Sequence, residues 1–264
     1  MIDFILLLAK SVLTQILGVL GIFFLFGFIL SKLQEWTQRN YARSIGWKGI
    51  LWTAWFGTPI HEWGHVFFAK IFHHKIHKIA LFKPSKETGG LGYTEHSYNP
   101  RSFYQSAGNF FVGAAPMIWG SLILFIMLYF LLPNGKEVFT ALSQTNGTIM
   151  GMIDSIKNTL FLLFALANLK TWTFWLFLYL SFCLASHVAP SRLDRKQMWQ
   201  GFFMIMVVLV VINIIALAMK IDLTQYILKL NQYLGSLAVI FTYTILISFL
   251  HLILSTIILR PFRK

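Results

Sequence analysis

The chain has 264 residues, of which 57% are hydrophobic and 12% charged, with a mean hydropathy of +0.67, against about 45–50% apolar and about 25% charged in a soluble domain. That composition excludes a water-soluble globule, because too few polar side chains remain to cover its outside, and it reads as an all-α integral membrane protein solvated largely by lipid. The formal charge of +13 is scattered over short segments between apolar runs, which argues against a nucleic-acid stripe and for loops sorted by membrane side.

Apolar runs of about 20 residues predict six transmembrane helices, near 5–31, 49–72, 106–132, 170–188, 199–219 and 235–259. The first begins Met1-Ile2-Asp3, without a basic head or a small-x-small cleavage site, and is expected to stay as a helix. The stretch from Thr159 to Leu169 is cut from the fourth run by Asn168 and Lys170 and reads as an interfacial helix. Six spans put 73–105 and 189–198 with both termini on one side, which collects twelve Lys and Arg against nine on the other. The positive-inside rule then places that side in the cytoplasm. In this assignment Arg192 and Arg195 face the cytoplasm while Lys32 and Arg39 lie opposite.

The second run contains His61-Glu62-Trp63-Gly64-His65. On a helix, residues four apart share a face, so His61 and His65 can direct imidazole nitrogens at one ion. Glu62 sits about 100° round from His61 and can reach a water on that ion without being a ligand. Such a constellation suits zinc, with Glu62 as general base for attack on a carbonyl. From 8 His and 5 Glu in the chain, chance gives about 0.005 such motifs. A buried Glu between two His in a lipid-embedded helix is costly and points to function ahead of helix glue. The single cysteine, Cys183, lies in an apolar run, so any metal must rely on His and carboxylate.

A catalytic zinc takes a third protein ligand, and acids are scarce. Asp3, Glu35, Glu137, Asp154 and Asp222 fall at the N-terminus, near span ends or in loops assigned away from the motif, while Glu87 and Glu95 lie in a strand-like segment. Glu87 and Glu95 share the motif's side, but Asp194, in Ser186-His187-Val188-Ala189-Pro190-Ser191-Arg192-Leu193-Asp194, is the carboxylate there that lies outside the strand-like segment. An unwound connection through Pro190 could carry it to the two histidines. His187 is the alternative third ligand, and a solvated Arg192-Asp194-Arg195 loop is the bland reading.

Between 76 and 98, Lys78-Ile79-Ala80-Leu81-Phe82-Lys83 and Leu91-Gly92-Tyr93-Thr94-Glu95-His96-Ser97-Tyr98 flank a turn-rich linker. They predict a β-hairpin, with an ordinary basic loop as the alternative. His73, His74 and His77 read as a cationic collar at the membrane surface, or a second metal site. His251, alone in the last run, reads as a packed, hydrogen-bonded interior residue. Pro59 is expected to kink the second run and open room for water.

These residues resemble the site-2-type intramembrane zinc metalloproteases. The likeness rests on His61-Glu62-Trp63-Gly64-His65 with Phe68-Ala69-Lys70 and Phe72, on Gly113-Ala114-Ala115-Pro116, and on Pro190 followed by Leu193-Asp194. It covers about 50–200 and suggests a division into a first span with an amphipathic connector (1–48), a catalytic core (49–200) and a C-terminal two-helix extension (201–264). It implies Zn2+ held by His61, His65 and Asp194, Glu62 as catalytic base, and a membrane-protein substrate whose unwound segment pairs with a membrane-edge sheet. Two positions depart from the family pattern. Arg195 replaces the Gly after Leu-Asp, and Trp119 replaces an Asn whose substrate-holding role could pass to Asn109, Ser121 or Asn168. The expectation is an intramembrane zinc endopeptidase of a bacterial cytoplasmic membrane, with the zinc site nearer the cytoplasmic face. The alternative is a catalytically silent homologue that binds or stabilises a membrane partner.

Overall fold

The computed structural model describes residues 2–144 and 148–262. The described chain is mostly helical: α1 (Ile2–Val19), α2 (Gly21–Ser44), α3 (Trp47–Ile71), then strands β1 (Lys75–Ala80) and β2 (Tyr93–Ser97). There follow α4 (Phe103–Leu131), α5 (Gly135–Ser143), α6 (Ile149–Leu163), α7 (Leu166–Leu169), α8 (Trp172–Ala185), α9 (Arg192–Ala218), α10 (Thr224–Leu228) and α11 (Asn231–Leu259).

Among the described residues four helical stretches are long and apolar enough to cross a membrane: Phe103–Leu131, Met150–Leu169, Arg192–Ala218 and Tyr233–Phe262. A fifth arises if α1 and α2, which meet at a 44° bend after Val19, form one broken span. The chain is therefore a membrane protein, but the expectation of six spans is not met. The expected second span is α3, which is long enough but not apolar enough to qualify, because its buried face carries Thr53, Thr58, Glu62 and His65. The expected fourth is α8, whose 14 residues reach about 21 Å, short of a bilayer's ~30 Å. Conversely, the stretch read as interfacial is part of Met150–Leu169, which does qualify.

Helix α4 is the centre of the bundle, packed by α3, α8 and α9. One apolar core joins α4 to α5, α8 and α11 through Leu124, Leu128, Val138, Phe177 and Tyr243; the other joins α2, α4, α9 and α11 through Phe23, Phe110, Met198 and Phe241. Close approach depends on glycine at two points. At Gly113 a Cβ would run into the carbonyl oxygen of Asp194 and lie 2.7 Å from Met198 Cγ. At Gly57 it would strike the carbonyl of Cys183 and lie 2.8 Å from His187 Nδ1. These contacts draw α9 onto α4 and the end of α8 onto α3.

Helix α8 stops at Ala185, and α9 starts at Arg192 after a corner in which every residue from Ser186 to Pro190 is buried. Irregular backbone is affordable there because it is enclosed by protein. Gln38 donates to the Ser186 carbonyl at 3.0 Å, and Ala189 N–H donates to Gln34 Oε1 at 3.0 Å. The corner therefore lies beside the middle of α2, and Lys32 and Arg39 share one cavity with Arg192 and Arg195. The charge count set these residues on opposite sides; α2 instead continues as helix past Leu30, so its polar half is not an external loop. Helix α9 runs unbroken through positions 200 and 201.

The hairpin forms. Strands β1 and β2 pair antiparallel, from Lys75 opposite Ser97 to Ala80 opposite Tyr93, with an irregularity between Ile76 and Lys78. The first strand begins three residues earlier than the sequence pattern suggests and ends before Leu81, because His73 takes a positive φ of 56° that turns the chain sharply off α3.

Candidate metal centre

His61 and His65 project from α3 on one face, their ring centroids 5.0 Å apart. Asp194 meets them from the first turn of α9. Its Oδ2 lies 3.5 Å from His61 Nε2 and its Oδ1 3.3 Å from His65 Nε2. One ligand atom from each of the three residues falls within 4.8 Å of the others, the group among the described residues that could hold a metal ion. Donors at about 2.0–2.1 Å around a tetrahedral zinc stand about 3.3–3.4 Å apart, and the two imidazole–carboxylate separations, each to a different oxygen of Asp194, are close to that edge.

The tautomers follow from the surroundings. His65 Nδ1 lies 2.9 Å from the Val112 carbonyl and His61 Nδ1 lies 2.7 Å from the His187 carbonyl. A carbonyl only accepts, so both rings carry hydrogen on Nδ1, and in their neutral form they turn Nε2 lone pairs towards Asp194. Each accepting carbonyl is free for a reason written in the sequence. In a regular helix the Val112 carbonyl would accept from residue 116, but that residue is Pro116, which has no N–H. The His187 carbonyl likewise has Pro190 three residues on, and the N–H of Ser191 is committed to Asp194 Oδ2 at 2.7 Å.

That last bond belongs to a capping box. Ser191 Oγ accepts from Asp194 N–H at 3.2 Å while the Asp194 carboxylate accepts from Ser191 N–H, which fixes the carboxylate at the start of α9. Oδ2 is thereby held and Oδ1 turns to His65. Arg195 donates from Nη1 to the Pro190 carbonyl at 2.7 Å, and so braces the corner that carries Asp194.

Glu62 is buried beside the group without belonging to it. Thr94 Oγ1 on β2 donates to Glu62 Oε2 at 2.8 Å, and the backbone at Gly92 packs so closely that a Cβ there would lie 3.0 Å from Glu62 Cγ. The hairpin is therefore the roof over the acid. His187 does not enter the group: its Nδ1 donates to the Cys183 carbonyl at 3.1 Å, and its contribution is the carbonyl that orients His61.

The residues weighed in place of the Asn at Trp119 separate. Trp119 packs its ring 4.6 Å from Phe67 and its Cβ against Gly64. Asn168 clamps the α6–α7 corner through Asn134 and the Leu162 and Leu163 carbonyls. Ser121 Oγ is buried without a hydrogen-bond partner among the described residues. Asn109 accepts at Oδ1 from Gln197 at 3.2 Å, and Gln197, one turn after Asp194, lies 2.8 Å from His96 Nε2.

His74 Nδ1 lies 3.1 Å from His96 Nδ1, and its ring stacks between His96 and Tyr98. His74 is thus a buried hairpin pin instead of a surface collar, and no group of three potential ligands forms around it among the described residues. Burial pushes the His96 imidazole down to about 4, with the neighbouring His74 and His65 adding to the shift, and burial also lowers His74. Sequence reasoning missed Thr94, Gln197 and Ser191. The Ser191-x-x-Asp194 spacing of a helix start could have revealed the last. His251 is an interior residue as expected, with Nε2 3.0 Å from Tyr41 Oη, Nδ1 3.1 Å from Ser186 Oγ and the ring stacked on Phe182. No protein-family model, curated protein or solved structure matches the chain.

Proposed function

We propose that the chain is an intramembrane zinc endopeptidase that hydrolyses peptide bonds in or near transmembrane segments of another protein. The observation that carries this reading is the convergence of His61, His65 and Asp194, with ligand atoms within 4.8 Å of one another, and Glu62 beside them. His61, His65 and Asp194 would hold the metal, leaving a position open for water. Zinc, when bound, supplies the Lewis acidity that lets water attack a carbonyl at neutral pH. Glu62 takes the proton of the attacking water and returns it to the departing amine. The Thr94 bond to Oε2 leaves Oε1 for that transfer.

The hairpin supports a route for substrate. Among the described residues β1 and β2 pair only with each other, so each presents an outer edge to which an extended peptide can add. A transmembrane helix must unwind before its bonds are accessible, and strand addition compensates the backbone groups it frees. His65 lies six residues before the end of α3, about 9 Å along the axis. The centre is thus close to the end that continues into Lys75, Lys78, Lys83 and Lys86, which supports a site nearer the cytoplasmic face.

The test is Glu62→Gln in the full chain. The variant should retain about one zinc per chain while the membrane proteome of cells carrying it accumulates proteins that the wild type cleaves. Retained metal together with an unchanged membrane proteome and a surviving cellular role would overturn hydrolysis. The triad would then be a metal clip joining α3 to α9 in a membrane-partner binding protein.

A further inference from the structure

A cavity of about 910 Å³ opens between α2 and the start of α9, lined in part by the corner residues Ala189, Pro190 and Ser191. Its two walls change character at the same level. Along α2, Gly21 to Leu30 is wholly apolar, and from Ser31 onward most residues are polar, with Leu33, Trp36 and Ala42 among them. Along α9 the order is reversed, with Arg192 and Arg195 first and Trp199 a turn later. Arg195 Nη1 lies 3.4 Å from Ser31 Oγ, and the Trp199 ring lies 4.8 Å from that of Phe24, so the helices run antiparallel and their gradients coincide.

The upper part of the cavity is cationic. Lys32, Arg39, Arg192 and Arg195 line it with one carboxylate, Glu35, which Lys32 and Arg39 both engage. Arg192 and Arg195 meet no carboxylate among the described residues; Asp194 between them is turned to the histidines. The lower part is aromatic, with Phe24, Phe28 and Trp199 lining it; Phe28 and Trp199 are exposed. A ligand for this site carries an anion at one end and hydrocarbon at the other. Within a membrane protein those two chemistries, separated in that order, are the headgroup phosphate and acyl chains of a lipid.

We infer that this cavity binds an anionic glycerophospholipid, its phosphate held by Arg192, Arg195 and Lys32 and an acyl chain laid on Phe24, Phe28 and Trp199. The volume lies within the range of about 300–1,000 Å³ typical of ligand sites. Arginine pairs with phosphate through two parallel hydrogen bonds, which suits the unpaired Arg192. A free phosphate would satisfy the cations but leave the aromatic wall uncovered. A zwitterionic lipid would cover the wall but offset the phosphate with its own cation. The inference does not depend on peptide hydrolysis, although Pro190 and Ser191, which line the cavity, also belong to the corner that fixes Asp194.

The experiment is native mass spectrometry of the full chain exchanged into phosphatidylglycerol or phosphatidylcholine, with and without excess inorganic phosphate. Phosphatidylglycerol should be retained about tenfold better than phosphatidylcholine, the value of one charge-assisted hydrogen bond, and inorganic phosphate should not displace it. Arg192→Gln and Lys32→Gln, both at solvent-accessible positions, should each reduce that preference several-fold without changing zinc content. Equal retention of the two lipids overturns the inference. So does displacement by inorganic phosphate, which would make the site a simple anion pocket, or a preference that survives both substitutions. If a variant fails to fold, the wild-type comparison of the two lipids and phosphate still decides.

Discussion

Two of the polar clusters buried among the helices involve α9, and they are built on opposite principles. In the first, Gln15 of α1 and Asn213 of α9 exchange reciprocal amide hydrogen bonds, Gln15 Nε2 to Asn213 Oδ1 at 3.0 Å and Asn213 Nδ2 to Gln15 Oε1 at 2.8 Å. Each donor finds an acceptor, so the pair is closed and acts as glue. In the second, both imidazole Nδ1–H groups are spent on carbonyls, and what remains facing inward is two nitrogen lone pairs and a carboxylate. With both rings neutral these are three acceptors with no donor among them, so the set closes only when a metal ion or protons enter it. The comparison teaches that a buried ligand site can be told from buried glue by whether its hydrogen-bond ledger closes without a cation.

The sharpest way to break that distinction is to remove one member of each cluster. Asp194→Ala leaves two imidazoles, and zinc measured after dialysis should fall from about one per chain to near zero. The double change Gln15→Leu with Asn213→Leu removes a closed pair and should leave zinc content unaltered and stability nearly so. If both variants lose metal equally, the two clusters are not separate in function. Next in size is Pro116→Ala. It restores an N–H that competes for the Val112 carbonyl and frees the His65 tautomer, and should weaken zinc binding by about 10–100-fold in a chelator competition.

How far the sequence alone reaches depends on whether the residues involved are local. His61, Glu62 and His65 lie on one helical turn, so their spacing declares the site. Asp194 emerges by elimination because the chain has only nine acids. The capping box that holds it is also local and readable. The tautomer control is not, since Pro116 and His65 are far apart in the chain and meet only when α3 packs on α4. The span count fails for a related reason. Hydropathy measures transfer to lipid, whereas α3 buries Thr53, Thr58, Glu62 and His65 against protein and α8 ends at an enclosed corner. The basic residues of α2 and α9 mislead in the same way, as they share a cavity between helices instead of marking two membrane faces.

Smaller effects sharpen the glue side. Asn213→Leu alone strands the Gln15 amide, and a double-mutant cycle in bicelles should return a coupling of about 0.6–1.7 kcal/mol.

The smallest effect concerns the hairpin. His74 Nε2–H donates to the Gln105 carbonyl and His96 Nε2 accepts from Gln197, so the one N–H between the facing Nδ1 atoms 3.1 Å apart sits on His96 and both rings are neutral. The His96 imidazole is pushed down to about 4 from an ordinary 6.5, so between those values the unfolded segment binds a proton that the folded one refuses. Stability of the hairpin anchor is therefore complete above about pH 6.5 and declines as pH falls towards about 4. Amide hydrogen exchange across 75–97, corrected for intrinsic rates, should show less protection at about pH 5 than at about pH 7. His96→Gln should flatten that difference, while the amides around Gln15 and Asn213, whose side chains do not titrate, should show none. A pH response of equal size in α1 would mean that the acid effect is global and that the histidine pair does not govern the hairpin.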